Sequence, residues 1–137
     1  MVCLLTYSTG FCESTSPIYA MVDNINETCP INWDYGCTIN SISFSGSTVA
    51  IRMDYNDKTG DFSTTFRDEV RKNKDKWVLS MYKISSQWKN LLDECLANEI
   101  TLTVLIYSQQ GGFSLKVFPE QIQKVQEMMD SKPSGDL

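Results

Sequence analysis

Histidine is absent from this chain of 137 residues. Its absence removes the commonest general base and the commonest protein ligand of metals, and neither a Ser-His nor a Cys-His nucleophile pair can form. The glycine-rich phosphate-binding patterns of nucleotide-using enzymes are missing as well. We therefore expect a protein that is not an enzyme and that requires no cofactor.

The five cysteines contain no Cys-x-x-Cys pair, and their spacing matches neither a zinc finger nor a zinc ribbon. The sequence therefore predicts no metal site. The cysteine count is odd, and the N-terminal stretch is too short and too uncharged for a signal peptide. These two features favour free thiols and an intracellular, reducing compartment, either nucleus or cytoplasm.

Long apolar runs and an excess of cations are also lacking. No stretch reaches the length of about 18 apolar residues that a membrane-spanning helix needs, so we expect no membrane span. Lys and Arg number 12 against 17 Asp and Glu, which gives a net charge of −5. Proteins that bind nucleic acid by neutralising phosphates usually carry excess Lys and Arg, so nucleic acid is expected to bind weakly to this chain alone. A protein partner is the stronger expectation.

Five segments have the composition and alternation of β-strands. They are Cys37–Phe44, Thr48–Asp57, Asp61–Arg67, Ile100–Tyr107 and Phe113–Phe118. In the first segment the apolar phase changes near Asn40 or Ser41, which predicts a β-bulge. Short turns join the first three segments to one another, and a glycine-containing turn joins the last two.

An amphipathic helix is predicted between the third and fourth strands, with Ser85 or Ser86 as its N-cap. Its buried stripe is Ile84, Trp88, Leu91, Leu92, Cys95 and Leu96. The preceding stretch, Trp77 to Ile84, fits strand and helix spacing equally well. A final helix is predicted to begin at Pro119.

This order, β-β-β-α-β-β followed by a C-terminal helix, is typical of a five-stranded OB-like barrel in a β-rich α+β protein. Residues 36–130 would form this domain. Residues 1–35 would form an irregular N-terminal extension, with short strands or a turn of helix packed on the barrel. Residues 131–137 have the composition of a disordered tail.

Two segments resemble OB-fold proteins of the replication protein A small-subunit type and their telomere-capping relatives. Ile51–Ser63 contains Asp57-Lys58-Thr59-Gly60, which is similar to the Asp-x-Thr-Gly turn between strands two and three of that family. Leu102–Phe118 resembles the last two strands of the family with their glycine-containing loop. The resemblance implies a C-terminal helix that assembles a multi-subunit complex.

The leading hypothesis is therefore a non-catalytic OB-type interaction subunit of a complex that handles single-stranded nucleic acid in replication or at telomeres, acting mainly through protein contacts. The alternative is a small acidic inhibitor or immunity-type protein, encoded by a virus or mobile element. Such a protein would present carboxylates to a basic surface of a target enzyme. Those carboxylates would be Asp54, Asp57, Asp61, Asp68 and Glu69.

Candidate contact residues fall into two groups. The nucleic-acid candidates are outward-facing strand residues and cations of the charge-rich link that follows Arg67: Arg52, Tyr107, Lys116, Arg67, Arg71 and Lys72. The simpler interpretation of the link is a solvated loop whose charges pair with one another. The partner-helix candidates are Ile122, Val125, Met128 and Met129, with ordinary docking onto the barrel as the alternative.

Overall fold

A mixed sheet of five strands forms one layer of the molecule, and helices cover one of its two faces. The computed structural model describes residues 9–56 and 64–131. The strands are β1 (Ile31–Asn32), β2 (Cys37–Phe44), β3 (Thr48–Tyr55), β4 (Thr101–Ser108) and β5 (Gly111–Val117).

The strands lie side by side in the order in which they occur in the chain. Neighbours pair antiparallel except β3 and β4, which run parallel from Thr48 opposite Thr101 to Asp54 opposite Tyr107. A parallel pair cannot be closed by a tight turn, so a crossover must join the two strands. Three helices supply it, and they lie on the covered face.

The helices of the described residues are α1 (Thr9–Asn26), α2 (Thr64–Lys72), α3 (Lys74–Tyr82), α4 (Ser86–Ala97) and α5 (Pro119–Ser131). A short 3-10 turn, Asp34–Gly36, leads into β2. Helix α1 packs on β2 and α4, while α3, α4 and α5 pack on one another. None of these helices is long and apolar enough to span a bilayer.

The core lies between the inner face of the sheet and the helices. Alternate strand residues point into it because successive side chains of a strand face opposite sides. Strand residues buried there are Cys37, Ile39, Ile42, Val49, Ile51, Met53, Tyr55, Leu102, Val104, Ile106, Leu115 and Val117. Helix residues that meet them include Ile18, Val22, Ile25, Trp77, Met81, Trp88, Leu91, Leu92, Ile122 and Val125. The outer face of the sheet carries no helix among the described residues.

Several local predictions are confirmed. The register of β2 against β3 shifts between Ile39 and Ser41, which is the predicted bulge. Ser85 caps α4, since its hydroxyl accepts a hydrogen bond from the backbone N–H of Trp88 at 3.3 Å. The α+β class and a C-terminal helix beginning at Pro119 are also confirmed.

The predicted barrel is wrong, because the sheet is open and β1 and β5 form its two edges. The predicted third strand is the cause of the error. Its described part, from Thr64 to Arg67, belongs to helix α2, and the ambiguous stretch from Trp77 belongs to helix α3. The rest of that predicted strand, residues 61–63, lies outside the described residues. The fifth strand of the sheet is instead the two-residue β1.

The N-terminal segment also differs from the expectation of irregular structure. Helix α1 occupies residues 9–26 and buries Ile18, Val22 and Ile25, which follow the i, i+4, i+7 spacing of one helical face. Residues 132–137, most of the predicted tail, lie outside the described residues. The division of the chain into an extension, one domain and a tail stays a prediction.

Candidate protein-binding groove

A groove lies at the end of the sheet where β3 ends and β2 begins. Helices α2 and α3 form its other side, and its volume is about 580 Å³. We call it the aromatic groove and define it by its lining residues: Gly36, Tyr55, Phe66, Glu69, Val70, Asn73, Lys76 and Trp77. The side chains from α2 and α3 recur at spacings of three and four residues, so they share one helical face.

Aromatic rings in mutual contact form the wall of the groove. The Phe66 ring centroid lies 4.4 Å from that of Tyr55 and 6.5 Å from that of Trp77. Trp77 in turn meets Trp33 edge to face at 4.9 Å, with an interplanar angle of 86°. Tilted and edge-to-face pairs of this kind are the favoured aromatic geometries. Because Tyr55 and Trp77 are buried in the core, the wall is formed before any ligand arrives.

The rim of the groove is polar. Glu69 and Lys76 are exposed and carry opposite charges. Asn73 joins α2 to α3, and its side-chain amide donates to the backbone carbonyl of Glu69 at 2.8 Å. The backbone N–H of Asn73 donates to the same carbonyl at 3.0 Å, so this carbonyl at the end of α2 accepts two hydrogen bonds from one residue. The groove therefore combines an apolar wall with a few polar groups that could orient a ligand, which is the usual composition of a binding site.

The described residues of this site do not include a cluster of metal-ligating side chains. Across residues 9–56 and 64–131, no group of three or more Cys, Asp or Glu side chains is placed to hold a metal ion. The charged groups that line the groove, Glu69 and Lys76, lie at its rim and are solvated. An apolar side chain of a protein partner fits the arrangement better than a reacting substrate does.

The structure divides the nucleic-acid candidates between two surfaces. Arg52, Tyr107 and Lys116 lie on the outer face of the sheet, and their predicted outward orientation is confirmed. The Arg52 guanidinium carbon lies 4.9 Å from the Tyr107 ring centroid, within the range of a cation–π contact. Tyr107 also covers Gly112, since a Cβ atom added to that glycine would lie 2.8 Å from the Tyr107 ring.

Arg67, Arg71 and Lys72 belong instead to α2, on the helical side of the molecule. Arg67 is half-buried, while Arg71 and Lys72 are exposed. The Arg71 guanidinium carbon lies 5.6 Å from the Phe113 ring centroid on β5. The six candidates thus do not form one continuous surface, and they do not line the aromatic groove.

The partner-helix candidates differ sharply in exposure. Ile122 and Val125 are fully buried and dock α5 onto the core. Met128 is 44% exposed, and Met129 is partly buried beside it. Together with Leu79 and Lys83 they line a shallow cavity of about 170 Å³. A partner contact on α5 stays a prediction, and in this structure it would depend on Met128.

Two cysteines, Cys37 and Cys95, are buried in the core. Burial raises the pKa of each thiol to about 12. Burial also raises the pKa of Cys29, which is partly exposed. Because the thiolate is the reactive form, thiols of this kind resist oxidation wherever the protein resides. Cys29, Cys37 and Cys95 therefore do not require a reducing compartment.

No protein-family model and no curated protein sequence matches the chain. Solved structures do match it. EpsS, the pilotin of the Vibrio vulnificus type 2 secretion system, superposes with a TM-score of 0.60 at 16% identity over 85% of this chain and 98% of its own. AspS, the type II secretion pilotin of Vibrio cholerae, gives 0.55 at 17% identity over 84% and 99%. A candidate secreted protein from Pseudomonas aeruginosa gives 0.57 at 11% identity over 85% and 99%.

These structures overturn four predictions. The resemblance to replication protein A small subunits and telomere-capping proteins is wrong, because the solved structures that match include pilotins and a candidate secreted protein. The predicted roles in single-stranded nucleic-acid complexes, replication or telomeres are wrong for the same reason, and so is the alternative role as an enzyme inhibitor. The predicted intracellular location is also wrong, because the matching structures include pilotins of type II secretion systems and a candidate secreted protein. At these identities the likeness concerns the fold, and the chain shares that fold with type II secretion pilotins.

Proposed function

We propose that this protein is a pilotin-like accessory factor that acts outside the cytoplasm and binds a protein component of a secretion system. Its role is binding without catalysis, and its partner is a protein. The fold likeness supports this role because it extends over nearly the whole of each pilotin. The observation that carries the proposal is the aromatic groove on that fold.

The chemistry of the aromatic groove defines what it binds. Its volume of about 580 Å³ exceeds that of one side chain, so it can hold one or two large apolar side chains together with part of their backbone. The partly exposed ring of Phe66, supported from behind by the buried rings of Tyr55 and Trp77, would contact these side chains. Asn73 and Lys76 at the rim could bond to the partner backbone. Aromatic pockets of this type supply most of the binding energy of an interface from a few residues.

The test blocks the groove without disturbing the core. Glu69 is exposed and lines the groove, so Glu69→Trp places a large ring inside it. Asp68 is the matched control, because it is the preceding exposed acid of α2 and does not line the groove. Each tagged envelope component of the type II secretion system of the source organism would be titrated against the wild type and both variants by biolayer interferometry.

We expect one component to bind the wild type and the Asp68→Trp protein with similar affinity. Binding to the Glu69→Trp protein should weaken by about tenfold or more, as for loss of a central interface pocket. If no component binds, the proposed function is wrong. If both variants bind as the wild type does, the partner uses a different surface.

A further inference from the structure

We propose that the free edge of β5 accepts an extended, acidic segment of a protein partner as an additional strand of the sheet. This mode of recognition uses main-chain hydrogen bonds for affinity and side chains for selection. The inference concerns a second surface, separate from the aromatic groove, and does not depend on what the groove binds.

Strand β5 ends the sheet, and its single neighbour in the strand order is β4. In an antiparallel pair, successive residues direct their N–H and C=O groups alternately toward the neighbouring strand and away from it. The ammonium of Lys74 donates to the backbone carbonyl of Lys116 at 2.9 Å, so Lys116 is one of the residues directed away from β4. By the same alternation, Ser114 and Gly112 also present their N–H and C=O groups on the open side.

This edge is accessible. Gly112, Ser114 and Lys116 are all exposed, and the first two bring little side-chain bulk. The opposite edge of the sheet is formed by β1, which is only two residues long, and by the part of β2 beyond it, where Asn26 of α1 already bonds the N–H and C=O of Ile42. Among the described strands, β5 is therefore the one edge that can guide an incoming segment over several residues.

The charge around this edge selects an acidic segment. Arg71 packs on Phe113 and Lys74 bonds to Lys116, so both cations flank β5 on its helical side. The Lys116 side chain flanks it on the outer face. Arg71, Lys74 and Lys116 form no ion pair within the described residues. The ion pairs seen there join Lys89 to Asp93 and Lys124 to Asp75. In a chain with net charge −5, this edge is a local concentration of unpaired positive charge.

The same charges argue against pairing with a second copy of this chain. Two β5 edges joined about a two-fold axis would bring their Arg71, Lys74 and Lys116 side chains together. Like charges placed opposite each other destabilise strand pairing, and lysine on an edge is a common device against self-association. An acidic segment meets no such repulsion.

The Lys74 ammonium and the Lys116 carbonyl can each exchange their mutual hydrogen bond for a bond to the incoming strand. In the free protein its ammonium satisfies the Lys116 carbonyl. An incoming strand brings a backbone N–H for that carbonyl and a carboxylate for the ammonium. Both groups then remain bonded, so opening the edge leaves no buried group without a partner.

The experiment measures binding of a fluorescein-labelled seven-residue peptide with alternating Glu and Val, blocked at both ends, by fluorescence anisotropy. Ser114→Pro removes an N–H that points away from β4 and leaves the β4–β5 bonds in place. Ser114→Ala keeps that N–H and is the matched control. A second peptide carries N-methyl groups on alternate residues, which keeps its charge and removes its strand-forming donors. This peptide tests the edge on the unaltered protein.

We expect the wild type and Ser114→Ala to bind the first peptide alike, Ser114→Pro to bind it at least about tenfold more weakly, and the N-methylated peptide to bind weakly to all three. Binding should also weaken with salt and in Arg71→Gln, because charge selects the segment. The proposal is overturned if the first peptide does not bind. It is equally overturned if the N-methylated peptide binds as well as its parent, since the contact would then be electrostatic attraction without strand addition.

Discussion

The carboxylate of Asp93 joins three helices at a single point. It accepts hydrogen bonds from the Tyr82 hydroxyl of α3 at 3.1 Å and from the Gln126 amide of α5 at 3.0 Å, and it pairs with Lys89 of its own helix at 2.7 Å. Partial burial raises the pKa of Asp93, but these bonds together outweigh it, and the net pKa lies below the usual 3.8. Burial, followed by the nearby Asp93 charge, raises the pKa of Tyr82.

Replacing Asp93 by Asn should lower the free energy of unfolding at pH 7 by about 1–2 kcal/mol, because the charge-assisted bonds weaken. A carboxyl whose pKa is lower in the folded state stabilises the protein above its unfolded pKa and loses that contribution as the pH falls through the folded value. The difference between wild type and variant should therefore shrink below about pH 4. Urea denaturation at pH 7 and pH 2.5 checks this, with the exposed Asp23→Asn as control. An equal difference at both pH values would contradict it.

Trp88 presents a different situation. Its side chain is buried in the core, and its indole N–H has no hydrogen-bond acceptor among the described residues. A buried donor without a partner costs about 1–3 kcal/mol, which is similar to the cost of removing part of a large core side chain. Replacing Trp88 by Phe removes the penalty of the unpaired N–H but also removes part of the side-chain packing, so the gain and the loss in stability should nearly cancel.

We therefore expect Trp88→Phe to change the free energy of unfolding by less than about 1 kcal/mol. Trp77→Phe is the comparison, because it also removes the edge-to-face contact with Trp33 and should cost more. Chemical denaturation followed by far-UV circular dichroism measures both variants. A loss of about 3 kcal/mol in Trp88→Phe would show that the indole N–H is satisfied.

At the scale of elements, the side chain of Asn26 on helix α1 forms two hydrogen bonds to the backbone of the sheet. The Asn26 amide donates to the Ile42 carbonyl at 2.7 Å and accepts from the Ile42 N–H at 2.8 Å. Both backbone groups belong to β2 just beyond its bulge, where the register against β3 has shifted. The asparagine thus serves as the strand partner that Ile42 would otherwise lack on that side.

Removing this link should destabilise the protein. We expect Asn26→Ala to lower the free energy of unfolding by about 2 kcal/mol, because two partly buried backbone groups lose their partner. Asn24→Ala, an exposed position of the same helix, should have an effect within about 0.5 kcal/mol and serves as control. Thermal melts of both variants give the comparison, and equal melting temperatures would refute the role of Asn26.

The elements that could be predicted are those with a strong local signal. Strands β3, β4 and β5 alternate clearly, β2 alternates on each side of its bulge, and α4 combines an apolar stripe with the Ser85 cap. The error lay between Asp61 and Lys76. Phe62, Thr64 and Phe66 alternate like a strand, but Phe66, Val70, Asn73 and Trp77 also follow helical spacing, and burial of that helical face prevails. The aromatic groove was missed for this reason, because α2 and α3 build half of it.

Other features had no local signal. Strand β1 is two residues long and exists only through its pairing with β2. The parallel pairing of β3 with β4 joins residues about fifty positions apart, and no pattern within either strand specifies it. The outward orientation of Arg52, Tyr107 and Lys116 could be predicted because alternation fixes it within each strand.

At the scale of the whole molecule, the core thiols report on global unfolding. Cys37 and Cys95 lie at opposite sides of the core, one on β2 and one on α4, and both have a pKa of about 12. In the native protein at pH 8, iodoacetamide should label both at least about a hundred times more slowly than in the unfolded chain. Site-resolved mass spectrometry measures each rate. Rapid labelling of either residue under native conditions would mean that part of the core opens locally.

The parallel junction in the middle of the sheet has a consequence for assembly. It divides the ribbon of strands into two halves that are each continuous in sequence, one made by β1 to β3 and the other by β4 and β5. Each half can form through contacts between residues that are close in the sequence. The two halves can pair only after the intervening helices have packed and brought β3 and β4 into register. We therefore expect the β3–β4 pairing to be the last part of the sheet to form, and a chain cut between the halves would have to form it by association of two fragments.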